Sequence, residues 1–332
     1  MYVVVKNSPT LTLPKREGIK CRRGKFPPFW GGSSRLRIYK APPFWGGVGV
    51  GQKHKKITTM NKQKPRVILA GAGCGDPDLI TVKALKYLQK ADVILTDRLV
   101  SPELIADNAR KDAIVHYVGK QCSRGLTTPQ EEINELIVEY ALQNKLVLRL
   151  KGGDASLFSN ILDELEVLHE NNIPYEIVPG ISAAFGAAAY TGIPLTARNN
   201  ARGVRFLTLF DLPSVTKTQW AEWAKTDDTL VFYMSGKKMN ELAKAFIENG
   251  VELSKEIAIV QQATTPFQKT STYSFNSLIY KQLPEFEYVP TLLIIGKVVE
   301  LHHKFAWFKE KNQHASYFDN HKIHQELVGV YA

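Results

Sequence analysis

The 332-residue sequence has little cysteine, no long hydrophobic run and, over its first 64 residues, almost no acid. Cys21, Cys74 and Cys122 stand alone, with no Cys-x-x-Cys pair, which argues against a zinc site, an iron–sulfur cluster or a disulfide framework. Free thiols fit a reducing compartment. No apolar stretch approaches the roughly 18–20 residues of a membrane span, and the three valines after Tyr2 are too few for a secretion signal. A soluble, cytoplasmic protein without a membrane partner is expected. The formal charge of +11 invites a nucleic-acid reading, but its distribution removes it. Residues 1–64 carry 15 Lys and Arg against Glu17 alone, whereas the remaining 28 basic and 31 acidic residues balance to −3. The rest of the chain is near neutral, so nucleic-acid binding by it is not expected.

The basic head also lacks periodicity. Lys25-Phe-Pro-Pro-Phe-Trp-Gly-Gly32 returns as Lys40-Ala-Pro-Pro-Phe-Trp-Gly-Gly47, and proline pairs and glycines separate scattered cations. Residues 1–63 are read as a disordered head or a mis-assigned start, with translation beginning at Met60. Beyond it, residues 64–197 read as an N-terminal α/β domain, 198–302 as a C-terminal α/β domain, and 303–332 as a tail.

What is present in abundance is alternation of short apolar runs with amphipathic segments. Val67 to Ala70 has no polar side and reads as a strand buried on both faces. Gly71, Gly73 and Gly75 follow, removing side chains where the backbone turns, so a ligand can lie against peptide N–H groups. Asp76 and Pro77 predict an immediate helix start, with Leu79, Val82, Leu85 and Leu88 on its apolar face. The pattern is neither the Gly-x-Gly-x-x-Gly dinucleotide fingerprint nor a P-loop. Further strands are predicted at 93–97, 114–118, 146–150 and 175–178, and helices after a Thr128–Glu131 capping box and over 161–169. This alternation predicts a mainly parallel sheet covered on both sides. Ligands gather outside the carboxyl ends of such strands, and the polar or glycine-rich groups 71–76, 97–98 and 152–154 all fall there. A second α/β set is predicted from 204 to 295, with an edge strand at 270–275. The aromatic and His residues after Val299 show no clear period; His302 and His303 could ligate a metal, but a mobile tail is the expectation preferred.

Gly71-Ala-Gly-Cys-Gly-Asp-Pro77, Thr96-Asp-Arg-Leu-Val-Ser101, Val118-Gly-Lys120, Pro129-Gln-Glu-Glu-Ile-Asn134, Leu150-Lys-Gly-Gly-Asp154, Val178-Pro-Gly-Ile-Ser182 and Gly192-Ile-Pro-Leu-Thr196 occur in order. Together they resemble the tetrapyrrole (precorrin) methylase family over roughly residues 65–300. The blocks at 97–101 and 129–134 point, within it, to the uroporphyrinogen-III C-methyltransferases. The resemblance implies two α/β domains with S-adenosylmethionine in the cleft between them, a homodimer, and no metal. It implies transfer of two methyl groups to carbons 2 and 7 of uroporphyrinogen III, giving precorrin-2 for sirohaem or cobalamin.

By position, the resemblance places cofactor contacts at Gly73, Cys74, Gly152, Gly153, Asp154, Leu157, Ser182, Ala183, Met234 and Ala263. Asp97 matches a proton acceptor and Lys120 a proton donor. The residue types suit the chemistry, because methyl transfer to a pyrrole carbon needs in-line alignment and a carboxylate facing the cationic ring. Substrate carboxylates call for cations, first Arg98 and Arg124, then Arg149, Lys151, Arg198, Arg202 and Arg205. The sequence departs from the family at Cys74, usually proline. It also departs at Ala155-Ser-Leu-Phe-Ser-Asn-Ile161, where an arginine and two glycines are usual, and at Gly125-Leu-Thr-Thr128. Two other readings stay open: a methylase for another tetrapyrrole, and a silent module that binds cofactor and regulates a partner. No dehydrogenase or ferrochelatase segment is recognisable.

Overall fold

Strand and helix alternate through the first half of the computed structural model: β1 Val67–Gly71, α1 Val82–Leu88, β2 Val93–Thr96, α2 Pro102–Asn108, β3 Ile114–Tyr117, a short hairpin of β4 Lys120–Gln121 with β5 Leu126–Thr127, α3 Gln130–Leu142, β6 Val147–Lys151, α4 Leu162–Glu170 and β7 Tyr175–Val178. The structure describes residues 64, 66–121, 126–208, 212–234, 238–284, 290–311 and 316–318, all within a unit that begins at Thr59. The expectations for the head and for Arg124 lie outside these residues.

The strands lie in the order β3-β2-β6-β1-β7, every pair parallel. All five carboxyl ends therefore open on one edge. Successive side chains of a strand point to opposite faces, and β1 shows why both are apolar. Ile68 and Ala70 pack with Ala84, Leu88, Leu104 and Ile105 of α1 and α2. Val67 and Leu69 pack with Ile133, Ile137, Ala141 and Leu168 of α3 and α4.

The second half comprises α5 Ala183–Thr191, β8 Val204–Thr208, α6 Lys217–Lys225, β9 Thr229–Tyr233, α7 Met239–Glu248, β10 Glu256–Gln261, β11 Lys269–Ser274, α8 Phe275–Leu278, β12 Thr291–Ile295 and α9 His302–Phe305. Its sheet runs β11-β10-β12-β9-β8, with β11 on the edge as predicted. β8 and β9 are parallel, and β12 is antiparallel to both β9 and β10, so β9 and β10 end on the same edge. One face carries Leu230, Phe232, Ile257 and Leu293 against Trp220, Leu242, Phe246 and Phe275. The other carries Val231, Ala258, Val260 and Ile294 against Ala184 and Ala187 of α5. That helix follows directly on β7 of the first sheet, so it ties the two halves together.

Several local expectations change. Asp76 caps only a 3-10 turn, Pro77–Leu79, and α1 starts afresh with Thr81 as its side-chain cap. Val82 then lies exposed, because Ala84 and Leu88 are the residues turned inward. The Thr128–Glu131 capping box does not form: Pro129 is extended at ψ 150, α3 begins at Gln130, and no side chain caps it. The capping box occurs instead at Thr216 and Gln219 of α6. The described residues after Val299 are partly structured rather than loose. They complete a 3-10 turn and form α9, and Tyr317 and Phe318 beyond are buried. No helix among the described residues is long and apolar enough to cross a membrane.

Candidate active site

Backbone against backbone is the basis of the site. Gly73 and Gly153 exchange hydrogen bonds, N–H to O at 3.1 Å and 2.6 Å, and the Ala72 N–H donates to the Lys151 carbonyl at 2.8 Å. The loops after β1 and β6 are thereby zipped together beyond the sheet. Gly71, Gly153 and Gly180 permit this, since a Cβ at Gly71 would sit 2.5 Å from the Gly153 oxygen and 2.7 Å from Gly180 Cα. The Asp154 carboxylate locks the third loop in place, accepting from the Gly180 N–H and the Ser156 N–H, both at 2.8 Å. Gly153 itself has φ +74, and a Cβ built there would have Ala183 N as its nearest neighbour at 3.8 Å. Its Cα face lies in ordinary contact with the Ser182–Ala183 backbone, and its left-handed φ is one that glycine adopts without strain.

The second half packs directly on these loops. Tyr233, ending β9, has its hydroxyl 2.6 Å from Ser182 Oγ and accepts from the Ala184 N–H at 3.1 Å. Burial holds that phenol above its ordinary range, so it stays protonated. Phe158 stacks obliquely on Tyr233 at 5.0 Å, and Met234 follows with an exposed side chain. From β10, Thr264 Oγ1 donates to the Cys74 carbonyl and accepts from the Asp76 N–H, each at 3.0 Å. Ala263 packs its carbonyl on Gly75. Cys74 is buried there, and burial raises its thiol, so it is a neutral packing group. Phe158, Asn160, Met234, Gln262 and Thr264 all have left-handed backbone, with φ from +46 to +67. Non-glycine residues held so are costly, and strain of this kind concentrates at functional sites.

Asp97 stands beside the glycine bridge. Its N–H donates to the Leu150 carbonyl at 3.1 Å, and Gly152 packs on Leu99. Its Oδ1 takes a 2.5 Å hydrogen bond from Arg149 Nη2, while Oδ2 has no hydrogen-bond partner among the described residues. Arg149 is buried, and its Nε donates to Glu164 at 2.8 Å; Lys151 Nζ donates to both Glu164 oxygens at 2.8 and 2.7 Å. Burial opposes charge on both cations. Asp97 and Glu164 overcome it for Arg149, raising that guanidinium further, whereas Lys151 stays lowered, by burial and then by Arg149. Lys120 follows Gly119, whose Cα face lies against Asp97 and Arg98; its side chain lies outside the described residues. Among the described residues no cluster of metal-ligating side chains occurs.

Contacts thus bring Gly73, Cys74, Gly152, Gly153, Asp154, Ser182, Ala183 and Ala263 into one neighbourhood, and Met234 follows Tyr233, whose hydroxyl meets Ser182. Leu157 sits half-buried on the loop carrying Phe158. Arg98 is half-buried beside Asp97. Three of the further cations expected to grip substrate do other work. Arg149 and Lys151 are spent on Glu164 and Asp97, and Arg205 pairs with Glu222 and Asp228. Arg198 and Arg202 are exposed. Sequence reasoning missed Glu164, Gly180, Tyr233 and Thr264. The signal for Glu164 was available: two cations at alternate positions of an apolar strand require a buried acid.

A family model described as tetrapyrrole (corrin/porphyrin) methylases matches residues 66–278. A siroheme synthase from Nitrosomonas europaea is 44% identical over 249 residues, covering 74% of this chain and 52% of that protein. The chain spans about half the length of the curated relatives it matches. Among solved structures, a uroporphyrin-III C-methyltransferase from Thermus thermophilus, complexed with S-adenosyl homocysteine, is similar with TM-score 0.59 and 31% identity, over 71% of this chain and 99% of that one. A cobalt precorrin-4 methyltransferase is similar with TM-score 0.59 and 29% identity, over 70% of this chain and 95% of that one. A match across both sheets, supported by relatives at this identity, admits one assignment: the chain belongs to the tetrapyrrole (corrin/porphyrin) methylase family.

Proposed function

We propose that this chain catalyses S-adenosylmethionine-dependent C-methylation of uroporphyrinogen III at carbons 2 and 7 to precorrin-2, the activity of EC 2.1.1.107. The observation that carries the reading is the juxtaposition of the Gly73–Gly153 bridge with the Asp97 carboxylate at one sheet edge. The surroundings of the bridge suit the cofactor: side-chain-free backbone at Gly73 and Gly153, exposed apolar Phe158 and Met234, and the hydrogen-bonded Ser182–Tyr233 pair. On this reading Gly73, Cys74, Gly152, Gly153, Asp154, Leu157, Ser182, Ala183, Met234 and Ala263 hold it, between α/β domains at 64–197 and 198–302. When bound, it supplies an electrophilic methyl group on a sulfonium.

The protein's own contribution is orientation and charge. Arg149 fixes one oxygen of Asp97 and leaves Oδ2 to face the macrocycle. As the pyrrole carbon forms its bond to the methyl, positive charge grows on the ring, and a fixed carboxylate stabilises it. The methyl–sulfur bond breaks as the new carbon–carbon bond forms, and the methylated carbon, which already bears a side chain, becomes quaternary. The cation is discharged by loss of a proton elsewhere on the macrocycle, which Asp97 accepts, and Lys120 serves as proton donor. Arg98 and Arg124 engage substrate carboxylates. A homodimer and a cytoplasmic location belong to the same reading; the edge strand β7, with Tyr175 and Ile177 half exposed, supports a second copy.

One observation favours a second reading. The 155–161 loop, where the sequence departs from the family, is held by Ser159 Oγ to the Ala155 carbonyl and by Asn160 to Asp163 of α4, and this departure is what favours a different tetrapyrrole. The test is anaerobic incubation of the full chain with uroporphyrinogen III and methyl-labelled cofactor, with the product identified by mass. Two methyl groups per macrocycle are expected. Transfer only to other tetrapyrroles would establish the second reading, and binding without transfer would refute both.

A further inference from the structure

We propose that Tyr317, beyond the segment matched by the family, is a positioning residue that clamps the Asp97 loop of the first half to the Ala263 loop of the second. The inference rests on the reading of Asp97 and Ala263 given above. The family match ends at residue 278, yet Tyr317 and Phe318 are buried at 7% and 4% exposure. The Tyr317 N–H donates to Gln262 Oε1 at 2.7 Å, and its ring lies 6.3 Å from that of Phe267. Gln262 is itself buried and fixed: its N–H donates to the Pro290 carbonyl at 2.8 Å, and its carbonyl accepts from Thr265 Oγ1 at 2.9 Å. Ala263 is the next residue.

The other end of the same side chain reaches the first half. The Tyr317 hydroxyl lies 2.8 Å from Ser101 Oγ and donates to Glu103 Oε2 at 3.2 Å. Ser101 Oγ accepts from the Leu104 N–H as the cap of α2. The hydrogens balance along one chain: Leu104 N–H to Ser101, Ser101 O–H to Tyr317, Tyr317 O–H to Glu103. Burial pushes the phenol up to about 12, which keeps it a donor. Between Ser101 and Asp97 the chain is a single turn, closed by the Val100 N–H to the Asp97 carbonyl at 3.2 Å.

One residue therefore spans the two halves at the edge where methyl donor and proton acceptor must be aligned. A misplacement of about 1 Å at such a site costs on the order of 10²-fold in rate. Tyr317 touches neither reacting group and acts through Ser101, Glu103 and Gln262.

The test compares wild type, Tyr317→Phe and Tyr317→Ala in the full chain. Phe keeps the ring and the N–H bond to Gln262, so it separates the hydroxyl from folding. Tyr317→Phe should lower kcat about tenfold with KM for the cofactor unchanged, and Tyr317→Ala should lower it further. Amide hydrogen exchange, which needs no activity, should quicken at Val100 and Leu104 in Phe, and also at 262–268 in Ala. Unchanged exchange in both variants would overturn the clamp. Faster exchange with wild-type kcat per folded molecule would overturn the positioning role. Failure of the wild-type protein to transfer methyl groups would remove the reading of the reaction and the kinetic role with it, while the exchange result would still decide the clamp.

Discussion

Glu164→Ala separates the ion network from the chemistry. The Glu164 carboxylate is fully buried and takes hydrogen bonds from Arg149 at 2.8 Å and from Lys151 at 2.8 and 2.7 Å. Without it, Arg149 keeps Asp97 and the carbonyls of Leu95 and Leu150. Lys151 has no such reserve, since both its hydrogen bonds end on Glu164. Removing one partner of a buried pair costs about 3–5 kcal/mol. At about 2–4 °C per kcal/mol for a unit of this size, Tm should fall by about 6–20 °C. The deficit should also depend on pH with a definite sign. Burial, then Arg149, already lowers Lys151, and losing Glu164 lowers it further, so the unfolded chain binds more protons and stability rises with pH. The deficit should narrow toward the ordinary lysine pKa of about 10.4. Adding Lys151→Met removes the orphaned ammonium and should recover more than half of the loss. Guanidinium and thermal unfolding read Glu164→Ala, Lys151→Met alone and the pair. A single variant within about 0.5 kcal/mol of wild type, or a strictly additive pair, would refute the reasoning.

Asp97→Asn should lower turnover by about 10²–10⁴-fold with cofactor affinity nearly unchanged, checked by steady-state kinetics and calorimetry. Gly153→Ala puts a methyl in contact with Ser182 and Ala183 without a clash, at a backbone cost of about 1–2 kcal/mol; cofactor affinity should fall more than stability does. Gly186→Ala drives its methyl into Cys74 Sγ and Thr264, and overpacking there should cost about 1–3 kcal/mol in denaturant unfolding. Burial holds His116, 3.0 Å from the Tyr140 hydroxyl, below its ordinary range. The unfolded chain therefore takes up the proton first, and stability should fall as pH drops below about 6.5. His116→Gln should flatten that part of the pH–stability curve.

The first sheet was legible because a strand covered on both faces has only apolar residues to show, and Val67 to Ala70 is such a run. The carboxyl-edge clusters followed from the all-parallel order. Helix α5 was not legible: Ala183–Thr191 is apolar nearly all round, so it carries no amphipathic period, yet it binds the second sheet. The starts of α1 and α3 shifted because extended backbone at Thr81 and Pro129 overrides a local cap signal. Arg149 and Lys151 read as cleft cations from their motif; only the pairing of β6 with α4 shows that Glu164 takes them inward. Tyr317 was invisible, since a clamp made by one residue leaves no pattern in sequence.

Binding of the cofactor on the Gly73–Gly153 bridge is the centre of the account, and a crystal structure of the chain with S-adenosylhomocysteine tests it most directly. The account predicts density packed on the Gly73–Gly153 bridge, bordered by Ser182, Ala183 and Met234, with the sulfur turned toward Asp97. Density at any other surface, or a sulfur screened from Asp97 by protein, would contradict it.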